Sequence, residues 1–158
     1  MVRFAEERDI PRINELRRQV SELHAQSRPD IFKPGFCQEL QDRTYTLLRE
    51  EESDILIAER DGVICGMAAI EYLNKPESPY CHPRRIYYVT EFGVDEAYQR
   101  QGVGRELMDF MEADAKAKGF ARIELDMWTF NKNARAFYEA LGFQTYRLYM
   151  ERDLNEET

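Results

Sequence analysis

Apolar residues along the chain switch between two periods, and the switches mark the elements. Residues 2–6 read as a short first strand. Asp9 is placed to cap a helix and Pro11 suits its first turn. Ile13, Leu16, Val20 and Leu23 then recur at helical spacing to about Ser27. Pro29 and Pro34 interrupt the pattern, and 36–50 gives a second helix ahead of an acidic turn at 50–54. Residues 55–60 form a strand, Asp61-Gly62 is a hairpin signal, and 63–72 returns. A loop with three prolines fills 74–83. The longest apolar strand spans 86–94. A helix follows over about 105–118, with Val103, Leu107, Phe110 and Met111 on one face and Gly119 beyond its end. Residues 122–128 alternate as a strand, 131–141 is a helix with Gly142 just past it, and 143–151 gives a last strand.

The predicted order is β-α-α-β-β-β-α-β-α-β. It implies an α/β chain of the α+β kind, with a mixed sheet that is antiparallel early and parallel where helices cross over. No repeat or low-complexity segment breaks the chain, so residues 1–158 are expected to form a single domain.

Between the central strand and its helix lies Gln99-Arg100-Gln101-Gly102-Val103-Gly104, followed by Arg105. A strand, a glycine turn and a helix start make an anion site. Gly102 and Gly104 can adopt backbone angles closed to other residues, and the helix presents unpaired N–H groups at the positive end of its dipole. Phosphate fits that arrangement. The string is not a Walker loop, and Leu107 stands where a Rossmann fingerprint needs a small residue. Taken alone, the hexapeptide fits a plain strand-to-helix turn equally well.

Composition narrows the classes. A net charge of −8 argues against a general nucleic-acid binder. It also means that an anionic ligand needs local cations, which Arg100 and Arg105 supply. No apolar run approaches membrane-spanning length, and the charged N-terminus is unlike a signal peptide. Cys37, Cys65 and Cys81 are odd in number and lack metal-like spacing, which suits a reducing cytoplasm with no metal.

Two motifs together make the chain resemble the GNAT superfamily of N-acetyltransferases over essentially its whole length. Gln99-x-x-Gly102-x-Gly104 matches the family's pyrophosphate loop. Asn131-x-x-Ala134-x-x-x-Tyr138, followed by Leu141-Gly142-Phe143, resembles its second block. The resemblance implies a GNAT-like fold: a mixed sheet of about six to seven strands flanked by about four helices. The sheet would be splayed between the strand ending near Val94 and the strand 122–128. It implies acetyl-CoA as cosubstrate, an amine acceptor and direct acetyl transfer.

The same resemblance assigns roles. Backbone N–H groups from Arg100 to Arg105 would hold the pyrophosphate. Phe92, Gly93 and Val94 would pair with pantetheine, with Gly93 as the candidate bulge residue. Asn131, and less directly Asn133, would contact the cofactor. Tyr138 matches the general-acid position. For the base, Glu91 ends the apolar strand, on the face of Tyr87 and Val89 while pairing stays regular, and a carboxylate there could act directly or through water. His24, Phe32, Phe36, Tyr80, His82, Tyr146 and Tyr149 are candidate acceptor-pocket walls, and each also suits an ordinary core or edge position. Alternatives are another acyl-CoA, a protein amine, or a non-catalytic CoA-binding module. A homodimer is a reasonable expectation for so small an enzyme, although no segment specifies an interface.

Overall fold

The computed structural model describes residues 1–155. They divide into two compact units, Met1–Asp126 and the stretch from Met127 onward.

In the first unit, β1 (Val2–Phe4), β2 (Ser53–Arg60), β3 (Val63–Lys75), β4 (Arg84–Val94) and β5 (Ile123–Leu125) form one sheet in that spatial order. The first three pairings are antiparallel, and β4–β5 is parallel. Parallel neighbours need a crossover, supplied by α3 (Val103–Ala117). The β2–β3 connection is a two-residue turn with Asp61 at φ 52° and Gly62 at φ 76°, which matches strand twist.

Both sheet faces are covered. α1 (Ile10–Ser27) and α2 (Gln38–Arg49) cover one, where Ile13, Leu16 and Leu47 pack with Ile55, Ile57, Ile64, Met67 and Ala69. α3 covers the other. A Cβ at Gly66 of β3 would stand 2.8 Å from Val103 and 3.0 Å from Leu107, so the bare glycine lets the helix sit close. Asp9 occupies the N-cap position of α1, but its carboxylate turns back to the Glu6 N–H and the Arg3 guanidinium and gives the helix no side-chain cap.

Two bulges alter the alternation. Ala58 pairs with Gly66 but Glu59 with Ile64, which leaves Cys65 as an extra residue in β3. Ala69 pairs with Glu91 but Ile70 with Val89, which leaves Thr90 as the extra residue in β4. Gly93 pairs regularly with Met67, so the bulge falls at Thr90 and not at the predicted Gly93.

The second unit contains α4 (Lys132–Ala140). Its C-terminus is a Schellman cap. Gly142 at φ 90° donates to the Glu139 carbonyl at 3.0 Å, and Phe143 N–H donates to the Tyr138 carbonyl at 3.0 Å. The predicted last strand is absent: no described residue after β5 is in a strand, so the sheet has five strands and not six to seven. A strand needs a paired neighbour, and 143–151 has none in the sheet among the described residues.

Candidate functional site

β4 is paired with β3 along its whole length, but β5 accompanies it only from Tyr87 to Val89. From Thr90 to Val94 no strand pairs with that second edge among the described residues. The β4–β5 pairing therefore ends where the resemblance implied a splay, and Phe92, Gly93 and Val94 lie beyond it. A Cβ on Gly93 would stand 2.9 Å from Val20 of α1, so the strand passes close beneath that helix.

At the end of β4, Asp95 starts a single 3₁₀ turn (Glu96–Tyr98) that leads into the glycine loop. Arg100 has φ 61° and Gly102 φ 83°, and the two left-handed residues turn the chain sharply into α3. Gly102 is the N-cap, and its carbonyl accepts the Glu106 N–H at 3.1 Å. The N–H groups of Val103, Gly104 and Arg105 in the first turn have no intrahelical acceptor by position. Gly104 already belongs to the helix and has no left-handed angle, so the special backbone expected of it falls to Arg100. The Gln99 amide donates to Val94 O and the Gln101 amide to Ala97 O, both at 3.3 Å, bracing the loop from either end. Arg100 and Arg105 are exposed. A third cation, Arg60, comes within 4.0 Å of where a Gly102 Cβ would lie and is paired with Glu106 at 2.8 Å.

Glu91 lies elsewhere than regular alternation placed it. Because of the Thr90 bulge, it shares a face with its partner Ala69, under α1 and α2, and not with Tyr87 and Val89. Tyr87 points to the α3 side, where its hydroxyl donates to Asp114 at 2.9 Å. Arg17 of α1 grips both Glu91 oxygens, Nε to Oε2 at 2.6 Å and Nη2 to Oε1 at 2.9 Å. The guanidinium is buried, stands 5.3 Å from the Phe36 ring centre, and donates to Leu40 O and Thr44 Oγ1, each at 2.6 Å. Thr44 passes a hydrogen bond to Asn14 at 2.6 Å. A bidentate pair of this kind fixes a carboxylate in direction as well as place. In the sequence Arg17 is one polar position among several on α1, and only the fold reveals its partner.

In the second unit, Asn131 caps α4: its side-chain oxygen accepts the Ala134 N–H at 3.2 Å. Asn133 is exposed in the first turn. Tyr138 stands in the last turn, with the Phe143 ring set edge-on at 5.6 Å and Phe137 at 5.4 Å. The Schellman cap makes that contact, so Leu141-Gly142-Phe143 serves to seat Tyr138. Burial pushes the phenol up to about 12.

Of the expected pocket walls, Phe36 lies against Arg17, and His24 meets Phe32 edge-on at 5.0 Å with its Nδ1 2.7 Å from the Val20 carbonyl. Tyr80 and His82 stand exposed on their loop, as do Tyr146 and Tyr149 after α4. Cys37, Cys65 and Cys81 are free thiols, no described residues form a metal-binding group, and no described helix is long and apolar enough to cross a membrane.

Residues 4–143 match the Acetyltransferase (GNAT) family. A mutant of the BH1408 protein from Bacillus halodurans superposes with a TM-score of 0.94 at 29% identity, covering 98% of this chain and 99% of that one. The aminoglycoside N-acetyltransferase AAC(6′)-Iy in complex with CoA superposes at 0.72 with 18% identity over 97% and 98% of the two chains, a likeness of fold. N-acetyltransferase 8 of Homo sapiens is 27% identical over 108 residues, 68% of this chain and 46% of its own. The chain spans about half the length of the curated relatives it matches.

Proposed function

Since the chain belongs to the GNAT acetyltransferase family, we propose that it is an acetyl-CoA-dependent N-acetyltransferase acting on an amine of a small molecule or peptide. The observation that carries this reading is the turn at Gly102. It starts α3 with no side-chain cap on its first N–H groups, directly after the loop that leaves β4, the strand that β5 accompanies only as far as Val89. N–H groups from Arg100 to Arg105 then take the pyrophosphate, with Arg100 and Arg105 offsetting the acidic chain. The segment Phe92, Gly93 and Val94, past the end of the β5 pairing, takes pantetheine as an added strand, and a backbone N–H there polarises the thioester carbonyl. By the family match, Asn131, and less directly Asn133, are assigned to cofactor contact.

The transfer forms a C–N bond between the amine and the acetyl carbon and breaks the C–S bond. From the ammonium form two protons leave the nitrogen, one to make it nucleophilic and one as the amide forms; one proton ends on the thiolate and the other in solvent. An alkylamine with pKa near 10.4 is almost wholly protonated at pH 7, so making it neutral costs about 4–5 kcal/mol. Glu91 receives that proton through a water on its open side. Arg17 occupies one direction on each oxygen, which leaves further lone pairs for the water. Tyr138 serves the thiolate. A phenol near 12 is a far weaker acid than a thiol near 8.5, so Tyr138 acts by donating a hydrogen bond to the developing charge, and solvent supplies the final proton.

The test is the melting temperature with and without acetyl-CoA, with adenosine monophosphate as control, followed by free-thiol release with an amine panel. Saturation at 100 times the dissociation constant adds about 2.7 kcal/mol, or roughly 5–10 °C. A shift with acetyl-CoA alone and amine-dependent thiol release support the reading. A shift without thiol release for any amine would leave a binding module, and no shift at millimolar acetyl-CoA would remove the cofactor site.

A further inference from the structure

Asp95 is buried at the hinge between β4 and the glycine loop, and it is held from three elements. Its N–H donates to the carbonyl of Cys65, the extra residue of the β3 bulge, at 2.8 Å. One carboxylate oxygen accepts the Ala97 N–H at 2.9 Å, and the other accepts the Arg12 guanidinium of α1. Its carbonyl accepts the Tyr98 N–H at 2.8 Å. Arg12 is itself anchored by Ile64 O at 3.0 Å and Glu15 at 2.7 Å. Gln19, two turns along α1, accepts the Glu96 N–H at 3.3 Å.

This is a costly arrangement for ending a strand, since a buried carboxylate must recover its lost solvation. The hydrogen bonds converge on Asp95, Glu96, Ala97 and Tyr98, the residues that lead into Gln99–Arg105. The same helix that fixes Glu91 through Arg17 fixes this turn through Arg12 and Gln19. A loop that binds through backbone N–H groups is competent only while those groups converge. The observed dissociation constant is the intrinsic one divided by the fraction of time they do.

We propose that Asp95, held by Arg12, is a positioning residue for the cofactor loop and sets the affinity for the pyrophosphate portion of CoA. The proposal rests on the reading of the Gly102 loop as the CoA site. Asp95 touches no ligand itself. It keeps the 3₁₀ turn closed, so that Arg100, Gly102 and the first turn of α3 stand ready before the cofactor arrives.

The experiment is calorimetric titration of CoA, and of pantetheine, which lacks the pyrophosphate, into wild type, Asp95→Ala, Asp95→Asn, Arg12→Ala and the double variant Arg12→Ala/Asp95→Asn. Asp95→Ala is expected to weaken CoA by about tenfold or more with pantetheine unchanged. Asp95→Asn keeps an acceptor for Ala97 and loses less, and the double variant is no weaker than the poorer single one, because the two residues act as a unit. Where Asp95→Ala fails to fold, the near-isosteric Asp95→Asn decides. CoA affinity within twofold of wild type in a folded variant, or equal losses for CoA and pantetheine, would overturn the positioning role. A wild-type chain that does not bind CoA at all would instead overturn the cofactor-site reading and this inference with it.

Discussion

Arg17 and Glu91 meet side-on across the α1–β4 contact, with two parallel hydrogen bonds of 2.6 and 2.9 Å. The guanidinium is 5% exposed and the carboxylate 31%, so the pair is screened on the arginine side and open on the other. Glu91→Gln keeps the shape and removes proton-accepting ability. Turnover is expected to fall about 10²-fold near neutral pH, the scale of general-base catalysis. The deficit should narrow as pH rises and the amine loses its proton unaided. A pH–rate profile parallel to wild type would discard the base role.

Removing the arginine is a different experiment. Arg17→Ala leaves Leu40 O and Thr44 without their donor and frees Glu91 from its hold. Stability should drop by about 2–4 kcal/mol, as for a broken, largely buried polar network. Urea denaturation measures it, and a change below 0.5 kcal/mol would show the network to be incidental.

Tyr138→Phe should lower turnover by about 10²-fold while CoA affinity stays within twofold, since only the hydroxyl is lost. Phe143→Ala removes the edge-on ring at 5.6 Å and should act in the same direction more weakly, with a stability loss of about 0.5–1.5 kcal/mol. Steady-state kinetics beside CoA titration separates the two effects. Full activity in Tyr138→Phe would refute the assignment.

Gly102→Ala places a side chain on a residue at φ 83°. The left-handed strain is about 1–2 kcal/mol. The backbone has two ways to respond, and each costs affinity: strained in place, or relaxed with its N–H groups turned away. CoA binding should weaken at least as much as stability falls. Unchanged binding would move the anion site off this turn.

Stability should fall at both ends of the pH range. Burial, then hydrogen bonding to Asp54 and Asp114, holds the Tyr72 and Tyr87 phenols above their ordinary range, and burial raises Tyr138 to about 12. Below pH 10 these groups are neutral whether the chain is folded or not, so nothing changes. Above it the unfolded chain ionises first, and stability is lost from pH 10 through 12 and beyond. At the acid end, hydrogen bonds from Arg3 hold Asp9 below the usual carboxylate range. Burial pushes Asp95 up, but the Ala97 N–H and Arg12 outweigh it and bring it down. Both contributions are complete above about pH 4 and vanish as pH falls through the lowered values. Melting temperatures of wild type, Tyr87→Phe and Asp9→Asn across pH 2–11 test this. Tyr87→Phe should flatten the alkaline limb and Asp9→Asn the acid one.

The elements through β5 were legible because period and punctuation agreed: Pro11 opens α1, Asp61-Gly62 turns the hairpin, and Gly119 ends α3. The glycine loop was legible because its chemistry is local. The side of the sheet on which Glu91 emerges was not, since a bulge is decided by pairing with β3 and leaves no mark at Thr90. Arg17 and Arg12 were invisible for a related reason, as their acceptors lie 74 and 83 residues away. The strand expected over 143–151 shows the converse, a segment with no partner strand among the described residues.

Thr90 is a parity switch. Strand alternation counts residues modulo two, and one added residue reverses the sign of everything after it. Were the bulge ironed out so that Thr90 paired with Ala69, Glu91 would pass to the α3 side with Tyr87 and Val89, and Phe92 would take its place beneath α1. A shift of pairing by one, with every residue still present, would do more harm than any single substitution in β4.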